Sequence, residues 1–251
     1  MHAHIRRFTA SLALTAVSTI APAQPTPAAG AQWGLGLGVM ATDGGYRGIG
    51  TETRVIPLLQ VEYGRFRLFG PQAEFRLLGD ANASLSLRAE YRLDGFDAGD
   101  SDYFAGMEDR KGSAFFGVSG RYATPYGDLS FELTKTGSES DGTRGSIGYA
   151  YPVQTGALRI TPKIAAEFYD SKYVDYYYGV RAEEARAGRP AYAGESTTSL
   201  DVGVDVVYTF GGRHSVLGGL KYRRFGSEIQ DSPLIDKSGS PRATLGYVYR
   251  F

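Results

Sequence analysis

The chain has 251 residues, with 27 basic and 27 acidic side chains, no cysteine, 34 glycines and 18 tyrosines. Balanced charge argues against nucleic acid as a partner, and the absence of thiols excludes a disulfide framework. Much glycine with few helix-favouring stretches, and an excess of side chains that suit a half-apolar, half-wet setting, point to one large all-β domain.

Arg6 and Arg7 precede 13 mostly apolar residues, Phe8 to Ile20, and Ala21-Pro22-Ala23 before Gln24 fits a small-residue cleavage site. A membrane-spanning helix needs about 20 apolar residues, so this run is too short to be one. Residues 1–23 are therefore expected to be a signal peptide, and residues 24–31 a short linker. No cysteine follows the apolar run, which excludes a lipoprotein anchor. Losing Arg6 and Arg7 takes the 27 basic residues to 25 against 27 acids, a near-neutral mature chain.

Strands then follow one another. Trp33, Leu35, Leu37 and Val39 alternate with Gly34, Gly36 and Gly38, and a polar loop covers Thr42 to Thr53. A second strand runs over Val55 to Tyr63. From Arg65 to Leu78 the pattern changes phase: Phe66 and Leu68 share one parity, while Ala73, Phe75 and Leu77 share the other. A phase change marks a bulge or a turn, and Gly70-Pro71 favours two short strands joined by a tight turn. In Leu85 to Leu93, Leu85, Leu87, Ala89, Tyr91 and Leu93 oppose Ser86, Arg88, Glu90 and Arg92. Three inward charges, Arg88, Glu90 and Arg92, would be hard to bury in a soluble sandwich, but a water-filled barrel interior accepts them as lumen charges.

The alternation recurs over 114–122, 128–134, 144–151, 158–168, 200–210 and 216–225. It ends with Leu245, Tyr247, Tyr249 and Phe251 on one face and Thr244, Gly246, Val248 and Arg250 on the other. The count is twelve strands, with ten as the alternative, in a single antiparallel up-and-down transmembrane barrel over residues 32–251. With the amino terminus in the periplasm, the short turns at Gly64, Asp80 to Ala83, Thr124 to Gly127, Val153 to Gly156 and Gly211 to His214 all fall on the periplasmic side. The long connections, Asp94 to Gly112, Asp170 to Ser199 and Ser227 to Ser240, fall outside. Bacterial outer-membrane barrels close with strands resembling the last one. Leu245, Tyr247, Tyr249 and Phe251 are thus expected to be the assembly signal, read by the barrel-assembly machinery, in a protein embedded in outer-membrane lipid.

The long loops carry a resemblance. Asp102-Tyr103-Phe104-Ala105-Gly106-Met107-Glu108-Asp109-Arg110 resembles the Gly-Met-x-x-Arg region of the MltA-interacting protein (MipA)/OmpV family of outer-membrane proteins. So do Tyr176-Tyr177-Tyr178-Gly179-Val180, Glu184-Ala185, Gly188-Arg189-Pro190-Ala191-Tyr192, Ser232-Pro233-Leu234-Ile235 and the terminal Tyr249-Arg250-Phe251. The resemblance implies a non-enzymatic barrel that acts as a scaffold, with a murein-cleaving transglycosylase and a murein-synthesising penicillin-binding protein as partners. It supplies no set of functional residues.

No catalytic constellation stands out, and no cofactor or metal site is expected. His2 and His4 lie in the signal segment, which leaves His214 as the one histidine of the mature chain, at a turn. The carboxylates Asp94, Asp97, Asp100, Asp102, Glu108 and Asp109 match no calcium-loop spacing and read as a hydrated acidic loop. The loop from Asp170 to Ser199 is too aromatic for a solvated tail. Tyr176, Tyr177, Tyr178, Arg189 and Tyr192 are its candidate recognition or gating residues, and the charged middle before Pro190 is expected to form a short helix. Three functions remain open: a murein-enzyme scaffold, a surface adhesin or receptor, and a small-solute diffusion pore.

Overall fold

The computed structural model describes residues 30–137 and 139–251; the expected signal peptide and most of the linker lie outside them. The described residues form one closed antiparallel sheet. Its strands are β1 (Gln32–Asp43), β2 (Thr51–Tyr63), β3 (Phe66–Phe69), β4 (Gln72–Gly79), β5 (Ala83–Arg92), β6 (Ser113–Thr124) and β7 (Gly127–Thr136). They continue as β8 (Thr143–Ala150), β9 (Val153–Thr155), β10 (Leu158–Tyr169), β11 (Thr197–Phe210), β12 (His214–Arg224) and β13 (Gly239–Arg250). β8 and β9 pair with β10 in a single register, Ala150 opposite Lys163 and Val153 opposite Ile160, so they are one stave interrupted at Tyr151-Pro152. The barrel therefore has twelve staves. The sequence places a periplasmic turn at Val153 to Gly156. In the structure pairing persists through Thr155, and the chain turns at Gly156-Ala157.

Closure comes from β13 lying against β1, from Gly34 opposite Arg250 to Thr42 opposite Arg242. Glycine is required in this seam. A Cβ on Gly36 would come within 1.9 Å of the Tyr247 carbonyl oxygen, so no other residue fits without moving the backbone. At the end of the seam the Phe251 N–H donates to the Trp33 carbonyl at 2.9 Å, and the two rings stack at 4.0 Å.

The two faces of the sheet have different solvents. Leu35, Leu37, Val55, Leu87, Phe131, Ile147, Val202, Leu220 and Leu245 all point outward and are exposed, a continuous apolar band. Trp33, Tyr63, Tyr122, Tyr126, Tyr151, Tyr208, Phe210 and Phe251 gather at its periplasmic edge as an aromatic girdle. No helix of the described residues is long and apolar enough to cross a membrane. The buried apolar core is not inside the barrel wall but at one end, where the long loops meet.

The awkward stretch resolves into β3 and β4, joined at Gly70-Pro71 with Gly70 at φ +53°, a conformation glycine adopts without strain. A register shift between Arg76 and Leu78 then puts Leu78 on the exposed face, so Leu77 does not share the outward face of Phe75 as its parity suggested. The charged middle of the 170–196 loop forms only a 3-10 turn, Ala182–Glu184, and an isolated bridge between Arg186 and Arg189. The helix of this loop, α1 (Ser171–Tyr178), lies earlier, where Asp170 caps it by accepting from the Tyr173 N–H at 2.9 Å.

Candidate functional site: a capped, charge-lined lumen

Four connections at the outer end fold over the mouth as one cap. Tyr46 comes from the β1–β2 loop, and Phe96, Phe104 and Met107 from the loop after β5. Tyr173, Val174, Tyr177, Tyr178 and Val180 come from the loop after β10; Phe225, Ile229, Leu234 and Ile235 come from the last one. Tyr46 is the hub. Its ring stacks on Tyr178 at 5.7 Å and meets Phe96 edge-on at 5.1 Å, and its hydroxyl donates to the Tyr177 carbonyl at 3.1 Å. Rings of this size supply most of the buried apolar area of so small a core. Burial pushes the Tyr46, Tyr173, Tyr177 and Tyr178 phenols up from their ordinary value.

The polar members of the cap are paired as tightly. Arg110 donates to both oxygens of Glu184, at 3.0 and 2.7 Å, and its Nε and Nη1 reach the carbonyls of Tyr176 and Glu108, both at 2.8 Å. Burial works to raise the Glu184 carboxyl, but Arg110 and the N–H groups of Glu108 and Arg181 hold it below its ordinary value. Arg189 is fully buried. It donates to the carbonyls of Glu184 (2.7 Å), Ala105 and Tyr103, and its guanidinium lies 5.8 Å above the Tyr103 ring. The Tyr192 hydroxyl donates to the Glu228 carbonyl at 2.7 Å, and burial with the Glu228 carboxylate pushes it up to about 12.

The five loop residues singled out from sequence thus belong to the cap's interior and its ties. Tyr177, Tyr178 and Arg189 are buried, while Tyr176 and Tyr192 are partly so. Tyr176 accepts from the Lys111 N–H at 3.1 Å and stands beneath the Arg110 guanidinium. Sequence reasoning did not single out Tyr46, Arg110 or Glu184 as functional. A Gly-Met-x-x-Arg motif in an aromatic loop was the signal for Arg110, because a buried guanidinium demands a carboxylate.

Below the cap the lumen carries a continuous charge ladder. Arg88 bonds Glu74 and Glu90 at 2.8 Å and Glu132 at 3.2 Å. Arg144 spans Glu90 (2.9 Å), Glu132 (2.5 Å) and Glu167 (2.7 Å). Arg92 pairs with Asp94 at 2.7 Å, and Asp201 with Arg223 at 2.7 Å and Lys221 at 2.8 Å. The three lumen charges read from sequence, Arg88, Glu90 and Arg92, form one segment of this ladder.

The remaining candidates are tied locally. His214 opens β12, stacked on Phe210 at 5.1 Å with its Nδ1 2.6 Å from the Tyr247 hydroxyl. In the acidic loop, Asp100 accepts from the Asp97 N–H and Asp109 from the Ala98 N–H, while Asp94 faces Arg92. No group of three or more metal-ligating side chains converges among the described residues. Leu245, Tyr247 and Tyr249 run along the outward face of β13 from mid-strand toward the opposite end, and Phe251 follows directly after the strand.

A closed twelve-stave barrel with an apolar outer band and a charged lumen is an outer-membrane β-barrel, and the outer membrane is where this chain resides. Solved structures that match in part include outer-membrane channels. One from Pseudomonas putida F1 matches with a TM-score of 0.47 at 13% identity, over 88% of this chain and 96% of that one. The NanC porin matches with a TM-score of 0.44 at 8% identity, over 86% and 98%.

Sequence comparison narrows the class. The family described as "MltA-interacting protein MipA" matches residues 35–251, and the chain belongs to it. The MltA-interacting protein of Escherichia coli K12 is 31% identical over 224 residues, 88% of this chain and 90% of that protein. The outer membrane protein OmpV of Vibrio cholerae is 26% identical over 157 residues, 62% and 61% of the two chains.

Proposed function

We propose that this barrel is a cell-envelope scaffold that works from its periplasmic end, docking a murein-cleaving transglycosylase and, with it, a murein-synthesising penicillin-binding protein. The observation that carries this reading is an asymmetry of the lumen. The outer mouth lies under a packed aromatic core, whereas the periplasmic end keeps a vestibule of about 380 Å³ rimmed by Arg65, Arg67, Arg76 and Arg121. Arg67 and Arg121 are already paired with Glu62 (3.6 Å) and Asp128 (2.6 Å), and Asp80 also lines the space, so Arg65 and Arg76 are the cations that would steer and orient a partner's acidic docking segment. The name of the Escherichia coli relative points to the same kind of partner. No catalytic role is assigned, in keeping with relatives named as interacting or outer-membrane proteins.

A photocrosslinking residue at Tyr126, 82% exposed on a periplasmic turn, should capture a purified murein transglycosylase. The same residue at the exposed Glu183 of the cap should not. Capture from position 183 alone would move the function to the cell surface. That surface reading, an adhesin or receptor, has one observation in its favour: a cap held by so many ties presents its outer face in a fixed shape. A free diffusion pore fits less well with a mouth covered by that core.

A further inference from the structure

One part of the barrel wall is incomplete. β2 pairs with β1 from Thr51 to Glu62, all but its last residue, but on its other edge only Gln60 to Tyr63 meet β3. The β3–β4 hairpin stops partway up the wall. The Gly70 N–H donates to the Leu59 carbonyl at 3.0 Å, and above that bond no strand of the described residues lies against this edge of β2. On the far side, β4 begins with Gln72 opposite Glu90, the Tyr91 N–H donates to the Pro71 carbonyl, and β5 ends at Arg92. The wall is therefore notched between β2 and β5. Arg54 bridges the top of the notch by donating to the Leu93 carbonyl at 2.8 Å.

The notch opens at bilayer depth. Val55 is exposed on the outer face opposite Val39, inside the apolar band. Because the Leu59 carbonyl faces β3, the backbone polar groups of residues 57, 55 and 53 face the notch. Pro57 brings no N–H to that edge, the kind of strand position at which proline is tolerated. Unpaired backbone at this depth persists where it is buried in protein or lines a water-filled cavity. Such a cavity is present. A space of about 260 Å³ beneath the cap is bounded by Ile56, Pro71 and Tyr91 at the notch and by Arg92, Arg223 and Arg242 within. Arg92 and Arg223 are neutralised by Asp94 and Asp201. Arg242 has no carboxylate within ion-pair distance among the described residues; its guanidinium donates only to the Thr42 hydroxyl, at 3.1 Å.

We propose that the notch is a side window through which an anionic single-chain amphiphile from the bilayer places its head group on Arg242. The chain stays in lipid and leaves across Pro57 and Val55. The cap covers the direct route from outside, so a ligand reaching this cavity from the lipid comes sideways. The cavity lies below the roughly 300–1,000 Å³ of pockets that enclose whole drug-sized ligands, and so suits a head group with its first carbons. Met40 and Ile56 supply an apolar inner lip for those carbons. The Arg242 guanidinium, which has no carboxylate partner among the described residues, supplies the recognition of charge.

The test uses the full-length mature barrel in nanodiscs and a long-chain fatty acid carrying a photoreactive group in mid-chain. Labelling should concentrate at residues 55–57 and 91, fall about tenfold with Arg242→Gln and return with Arg242→Lys. On the unmodified protein the chain-matched alcohol should label weakly, and butyrate should compete poorly. The proposal fails if labelling is spread evenly over Leu35, Leu129 and Leu220, or if acid and alcohol label alike. It also fails if butyrate competes as well as the long acid, because the site would then take a soluble anion. The acid–alcohol comparison needs no variant, so it decides the matter even if Arg242→Gln does not fold.

Discussion

Arg110→Ala tests whether the cap is held by its buried ion pair. The substitution removes two charge-assisted bonds to Glu184 and two bonds to the Tyr176 and Glu108 carbonyls. Glu184 keeps only the N–H groups of Glu108 and Arg181, in a site where both partner side chains are 3% exposed or less. Breaking a buried pair from one side costs about 3–5 kcal/mol. Glu108, Glu183 and Ala185 beside the pair are exposed, so water can follow the lost side chain and the low end, about 3 kcal/mol, applies. That is roughly a hundredfold rise in the open population of the cap. Hydrogen exchange read by mass spectrometry should quicken by that order in residues 98–111 and 171–194 and stay unchanged in the strands. Arg110→Ala combined with Glu184→Gln should recover part of the loss, because no uncompensated carboxylate remains. Unchanged exchange in the cap would refute the reasoning, and quickening throughout the barrel would show that cap and wall form one cooperative unit.

Other perturbations separate the parts of the molecule. Leu87→Arg places a charge on the lipid face near mid-strand and should cost about 2–4 kcal/mol in equilibrium unfolding from bilayers, whereas Ser86→Thr on the lumen face should be near neutral. Deleting Phe251 removes the Trp33 stack and the bond to the Trp33 carbonyl, and should lower outer-membrane insertion while export continues; wild-type levels of heat-modifiable protein would contradict this. Acid should loosen the cap before the wall. The folded pKa of Glu184 is lowered, so its contribution is complete above the ordinary carboxylate value of about 4.3 and is lost as pH falls through the folded value. Faster cap exchange below about pH 4 is expected, and Glu184→Gln should abolish that acid step.

The barrel was legible because a sheet between lipid and water writes both solvents into alternate residues. Leu85 to Leu93 carries that pattern without a break, and so does the closing strand. Pairing across strands was not legible. Arg88, Glu90 and Arg92 show their sidedness in sequence, but Glu74, Glu132, Arg144 and Glu167 become their neighbours only through register. The cap was half legible. Its aromatic content required burial, but the burying partners come from four separate loops. α1 escaped notice because Tyr-Tyr-Tyr favours strand locally, although Asp170 three residues before Tyr173 is an N-cap signal. The free edge of β2 was not read from the sequence: Pro57 is compatible with an edge, but a proline shows that an edge is tolerable and not where the neighbouring hairpin stops.

Ion conductance of the purified barrel in a planar bilayer tests most directly whether the cap closes the lumen. The wild-type protein should show no sustained open level at neutral pH, and Arg110→Ala should show discrete openings under the same conditions. A sustained open level in the wild type, equal to that of Arg110→Ala, would contradict the account.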